Sequence, residues 1–119
     1  MQYHNRVVYQ QVTESWMREI GAARLDAVEI SGSRSKRYGF RTHRNLAFPE
    51  YDICGDPFQN PDGSPVRADI ILAEQVWEHL DRPYRATRNV LEMLNPGGFF
   101  WLASPFFCRI HGVPIDCSR

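Results

Sequence analysis

The stretch from Ala68 to Pro105 constrains the fold of this chain more than any other. It opens on Asp69-Ile70-Ile71-Leu72-Ala73, a short apolar run headed by one acid and lacking polar alternation. Such a run suits a strand covered on both faces, as inside a parallel sheet. A parallel neighbour requires a crossover, and the next residues supply one. Asp81 stands where a helix cap is needed and Pro83 falls in the first turn. Thr87, Val90, Leu91 and Leu94 recur at helical intervals as an apolar stripe. Asn95-Pro96-Gly97-Gly98 stops the helix, and Phe99 to Ala103 reads as the next buried strand. The unit is strand, helix, strand with a right-handed crossover.

Upstream, Val8, Val12, Trp16 and Ile20 lie four residues apart, which predicts an amphipathic helix over Asn5–Gly21 packed beside the sheet. Asp26-Ala27-Val28-Glu29-Ile30 reads as a strand that turns at Ser31-Gly32. A short helix is expected over Ser33–Tyr38 and a second strand around Phe40–Leu46. Pro49 to Cys54 leads into a third strand or its loop, and Asn60-Pro61-Asp62-Gly63 marks a surface turn. With 119 residues, 43% of them hydrophobic, the chain can bury one core. The expectation is one α/β domain over 1–119, with a leading helix in 1–22 and a mostly parallel sheet with flanking helices in 25–119.

Charge narrows the function classes. Lys plus Arg equals Asp plus Glu at 14 each, so no global field favours nucleic acid or an anionic membrane, and neither is expected as a partner. The basic residues between Arg34 and Arg44 form the sole local cluster. No apolar run approaches a membrane span, and the amino terminus lacks a signal-peptide core. Cys54, Cys108 and Cys117 are an odd set without close spacing, which fits a reducing cytoplasm better than a disulfide framework. His79, Cys108, His111, Asp116 and Cys117 include no closely paired ligands, so no metal site is expected.

Asp69-Ile-Ile-Leu-Ala-Glu-Gln-Val-Trp-Glu-His-Leu, followed by Leu94-Asn-Pro-Gly-Gly, resembles the fourth and fifth strands of class I S-adenosylmethionine-dependent methyltransferases, in the branch called methyltransferase type 11. Pro105-Phe106 with His111, Pro114, Asp116 and Arg119 is similar to a further pattern of that branch. There His111 and Asp116 would brace a loop over the site, with Arg119 as a carboxylate partner. The resemblance runs from about Ala27 to the last residue. It implies a Rossmann-like fold that lacks the last strands, since a complete sheet of this family has seven. A bare sheet edge is a template for a second copy or a partner chain.

The same resemblance implies the site. Glu29 and Gly32 match the family's first strand and turn, while Ser31 replaces its usual first glycine and no further glycine follows in Ser33-Arg34-Ser35. Glu29 is expected at the sheet's carboxyl edge near Gly32 and Glu74, in a crevice open to ligand; the competing reading makes it a buried acid paired inside the fold. Ser31, Gly32 and Ser33 would approach the cofactor, as would Ala73, Glu74 and Gln75 just past the buried strand. The family often ends its second strand in an acid that holds the ribose. Asp52 either takes that role, or joins Asp56 in the third strand and its adenine-facing loop; a turn acid capping its own backbone is the alternative for both. His79 is the candidate general base, set against a reading in which Glu78-His79 holds the site together. The implied activity is methyl transfer from S-adenosylmethionine to a small-molecule or sugar acceptor. A methyltransferase-like module that binds a partner without catalysis is the competing expectation.

Overall fold

The structure is a computed structural model and describes residues 2–104. Four parallel strands form one sheet: β1 (Asp26–Ile30), β2 (Thr42–Leu46), β3 (Ala68–Glu74) and β4 (Leu94–Ala103), in the order β2-β1-β3-β4. The chain leaves β1 toward one side of the sheet and returns through β3 to build the other. The strand order therefore reverses between β1 and β3. Open parallel sheets bind ligands outside the carboxyl ends of their strands at such a reversal.

β3 is the spine of the core. Ile70, Ile71 and Leu72 are completely buried, as a strand with parallel neighbours on both sides requires. Val28 lies opposite Ile71 on one side and Phe100 opposite it on the other. The acid at its head stitches the sheet's amino end. Asp69 accepts hydrogen bonds from the Asp26 backbone N–H at 2.9 Å and the Asn95 amide at 3.0 Å.

At that end Arg41 grips Asp26 through two nitrogens, at 2.9 and 2.7 Å, and the Thr42 hydroxyl adds a third bond at 2.8 Å. These donors, Arg41 first, hold the Asp26 carboxyl down at about 2. A carboxylate depressed in the folded state stabilises the fold above its unfolded value near 3.8, and that contribution fades as pH falls through about 2. The pair is exposed, so the effect is small. Asp26→Asn should therefore melt slightly lower than the parent at neutral pH, and the two should converge as pH falls toward about 2 in a pH series of thermal melts.

The crossover helix α2 (Pro83–Met93) begins with Pro83 in its first turn, but Arg82 rather than Asp81 occupies the cap position, without a side-chain bond. Its buried face is Ala86, Asn89, Val90 and Met93. Leu91, expected in the stripe, is 59% exposed. Asn89 is buried because its amide donates to the carbonyls of Ile53 and Gly55, at 2.7 and 3.2 Å, tying the helix to the preceding loop. Asn95 to Gly98 do more than end the helix. They lie inside β4 as an irregularity, so that Ala68 pairs with Leu94 but Ile70 pairs with Phe99. Gly97 has φ +78°, and a Cβ on Gly98 would come within 2.8 and 2.9 Å of the Asn95 and Asp69 carbonyl oxygens. Both glycines are therefore required by the backbone.

The leading helix α1 (Gln2–Glu19) ends before Gly21, whose φ of +77° suits a left-handed stop. It is turned from its expected orientation. Val8, Val12 and Trp16 are about half exposed, while Thr13 and Met17 are buried. Trp16 reaches the sheet at its margin, edge-on to Trp101 with ring centroids 5.1 Å apart. The neighbouring four-residue line of Tyr9, Thr13 and Met17 faces the sheet instead.

The expected third strand is absent among the described residues. From Ala47 to Arg67 the chain runs through turns, with one isolated bridge between Gln59 and Pro65. Prolines at 49, 57, 61 and 65 each lack the N–H that a ladder needs. Ile53, Cys54, Phe58 and Val66 nevertheless bury their side chains in the core, so this loop covers one face of the sheet. No helix among the described residues is long and apolar enough to cross a membrane. The expectations for Pro105, Phe106, Cys108, His111, Pro114, Asp116, Cys117 and Arg119 fall outside the described residues.

Candidate active site

Two residues at the reversal point carry backbone conformations that side chains rarely adopt. Ser31, just past β1, has φ +59°, and Gln75, just past β3, has φ +60°. Both are pinned from neighbouring strands: the Ser31 N–H donates to the Leu46 carbonyl at 3.1 Å, and the Gln75 N–H to that of Ala103 at 2.8 Å. A left-handed non-glycine costs of order 1–3 kcal/mol and is held only where the surroundings fix it; such residues gather at ligand sites.

Both residues line a cavity of about 510 Å³ at the carboxyl edge. Of the residues singled out from the sequence, Ser31, Asp52, Glu74, Gln75 and His79 line it together. Asp52 both shapes its own loop, accepting the Cys54 N–H at 2.9 Å, and faces the cavity. Phe48, 72% exposed at the cavity margin, and Tyr51 give it aromatic surface that the sequence reading did not single out. The signal for them was available, because Phe48-Pro49-Glu50-Tyr51 follows directly on β2.

Five other residues stand elsewhere. Ala73 is fully buried within β3. Gly32 and Ser33 turn away from the cavity into the basic loop, where Gly32 N–H donates to Asn45 Oδ1 at 3.0 Å and Ser33 precedes the turn Arg34–Tyr38. Asp56 is exposed and pairs with Arg85 at 3.4 Å, across a separate surface depression. Glu29 matches the competing reading of a buried acid paired inside the fold. It is 1% exposed, and its Oε1 accepts from the Ser35 backbone N–H at 3.0 Å, from the Ser35 hydroxyl, and lies 3.0 Å from His43 Nε2. Its other oxygen lies so close to Gly32 that a Cβ there would come within 2.7 Å of it. The carboxylate closes the first-strand turn from inside and does not open into the crevice. These three contacts all fall on Oε1, and they tie the carboxylate to the turn and to β2.

Glu74 occupies the place expected of Glu29. Its carboxyl is raised above the usual range, chiefly by burial and then by the Glu29 charge, while Tyr9, Arg34 and Arg37 draw it down. Glu78 buries both carboxylate oxygens without a hydrogen-bond partner, and His79 lies at the cavity rim. A crevice at a strand reversal, with a half-buried acid, a second acid and flanking aromatics, suits a polar molecule with a flat ring. S-adenosylmethionine is a molecule of that kind, and the lining has acids and aromatic rings that suit it.

No curated protein and no solved structure matches the chain. A family model does match it: over residues 10–102, from the middle of α1 to near the end of β4, the chain fits the model described as Methyltransferase domain, and it therefore belongs to that class I S-adenosylmethionine-dependent methyltransferase family.

Proposed function

We propose that the cavity between the ends of β1 and β3 binds S-adenosylmethionine and that the chain transfers its methyl group to a small-molecule acceptor. The observation that carries this reading is the pair of left-handed non-glycines, Ser31 and Gln75, at the sheet's reversal point with Asp52 and Glu74 beside them. Bound there, the cofactor supplies a methyl group on a positively charged sulfur, activated for in-line displacement. The protein's share of the work is placement. Asp52 accepts hydroxyl hydrogen bonds, and Phe48 and Tyr51 offer ring faces for stacking. Gln75, fixed by Ala103, presents an amide whose donor and acceptor can orient polar groups. Holding donor and acceptor in one geometry accounts for most of the acceleration such a site offers. His79, at the rim, is positioned to take a proton from an acceptor hydroxyl or amine.

The test is calorimetric titration with S-adenosylmethionine and its demethylated product. Binding at one site per chain is expected. Asp52→Ala should weaken it by about ten- to a hundredfold, since a hydrogen bond to a charged group contributes roughly 1.5–3 kcal/mol. Absence of heat with both ligands would sink the proposal.

A further inference from the structure

A second cavity lies on the α1 side of Glu74. It measures about 300 Å³ and is lined by Tyr9, Gln10, Arg34, Arg37 and Glu74. Glu74 is the one residue that lines both this cavity and the larger crevice. Three polar atoms meet behind it: the Tyr9 hydroxyl, Glu74 Oε1 and Trp101 Nε1 are all buried, and none completes a well-formed hydrogen bond. They lean on one another, the Tyr9 hydroxyl interacting with both the Trp101 N–H and the Glu74 carboxylate. Buried polar groups left so are uncommon, because each forfeits its bonds to water. An ionised Glu74 is acceptor-only, so a ligand that meets it in the cavity must bring an O–H or N–H.

At the outer wall stand the exposed Arg34 and Arg37. Arg37 donates to the Tyr38 hydroxyl at 3.3 Å and lies over that ring, and among the described residues it makes no ion pair with a carboxylate. No ion pair between Arg34 and an acid occurs among the described residues. Arg34, Arg37 and Glu74 all line the cavity. Two guanidinium groups on one wall and a carboxylate on the other form a site with a polarity: an anion at the arginine end, a proton donor at the glutamate end.

We infer that this cavity holds the methyl acceptor, and that the acceptor is a small organic acid carrying a hydroxyl or amine, its anionic group on Arg34 and Arg37 and its O–H or N–H on Glu74. The inference rests on the donor occupying the larger crevice. Glu74, shared by the two cavities, brings the acceptor's hydroxyl or amine to the boundary between them. Specificity follows from Glu74, since a ligand lacking the hydroxyl or amine would fill the cavity without a donor for its carboxylate.

Calorimetry and tryptophan fluorescence with lactate and with 4-hydroxybenzoate test the inference, using Trp101 as the local reporter. Phenol serves as the uncharged control and benzoate as the control without a hydroxyl. At least one hydroxy acid should bind at one site per chain, about tenfold or more tighter than its control. Arg34→Ala with Arg37→Ala should weaken that binding at least about tenfold while leaving affinity for the demethylated cofactor within about twofold. Glu74→Met should abolish the preference for 4-hydroxybenzoate over benzoate. The inference is overturned if neither acid binds, if the double arginine variant binds undiminished, or if phenol binds as well as 4-hydroxybenzoate. Competition between hydroxy acid and demethylated cofactor would also overturn it, by placing the donor's own carboxylate in this cavity. Hydroxy acid binding without any cofactor binding would instead refute the donor assignment and leave the acid site standing.

Discussion

Glu29→Ala should lower the stability of the protein by about 3–5 kcal/mol, the penalty for removing one partner from a buried charged network. Three groups depend on this carboxylate: the Ser35 N–H, the Ser35 hydroxyl and His43 Nε2. Ser35 is itself completely buried and the His43 ring nearly so, so water cannot replace what the glutamate supplies. The loss would also free Gly32 from the oxygen beside it and loosen the turn that sets Ser31 at the cavity. Glu29→Gln keeps the size and one acceptor oxygen and should cost less, about 1.5–3 kcal/mol. Thermal melts without ligand measure both. At roughly 3–6 °C per kcal/mol for a domain of this size, the alanine variant should melt at least about 10 °C lower. A direct role in cofactor binding predicts the opposite pattern for the glutamine variant, an unchanged melting temperature with an affinity loss of tenfold or more. Unchanged stability in both variants would refute the structural role assigned here.

The fate of Glu29 illustrates which parts of the site were legible in the sequence. Its position at the end of β1 could be read from the apolar run before it and the small residues after it. Its partners could not, because His43 arrives from β2 and is brought near only by the parallel pairing of Glu29 with Asn45. Strand and crossover assignments depend on local pattern, and β1, β3, α2 and the apolar end of β4 followed it closely. Orientation about a helix axis depends on what the helix meets. α1 carries two adjacent four-residue lines, Val8-Val12-Trp16 and Tyr9-Thr13-Met17, and the more apolar one is the more exposed. The second line wins because Tyr9 lies beside Trp101 and Glu74, while Met17 fills space among Ala22, Ala27, Ile70 and Leu72. Nothing within α1 itself encodes those neighbours. The placement of Asp52 and Asp56 was likewise tertiary: the loop after β2 folds over the sheet end at Asp52, and Arg85 of α2 pairs with Asp56 elsewhere on the surface.

Ile71→Ala should destabilise the protein by about 2–5 kcal/mol, and Leu91→Ala by no more than about 0.5 kcal/mol. Both residues belong to apolar patterns that predict burial, so the contrast tests the fold where sequence and structure part. Ile71 is 0% exposed on the central strand, between Val28 and Phe100, with Val90 and Met93 of α2 in the same core cluster. Cutting it to Ala removes buried methylene and methyl groups and leaves a void that a parallel strand, hydrogen-bonded on both sides, cannot collapse to fill. A loss of that size is a large part of the 5–15 kcal/mol that holds a typical domain together. Ile71→Val, which removes one carbon, should cost only about 0.5–1.5 kcal/mol and serves to grade the effect. Leu91 lies on the outer side of α2, and Ala is the better helix former, so its removal exposes nothing and strains nothing. Urea melts of the three variants decide the matter through their midpoints at constant slope. A Leu91→Ala loss equal to that of Ile71→Ala would mean that α2 packs through the stripe of Thr87, Val90, Leu91 and Leu94. The cavity walls would then have to move with it, because α2 meets the cavity loop through Asn89, whose amide holds the Ile53 and Gly55 carbonyls beside Asp52.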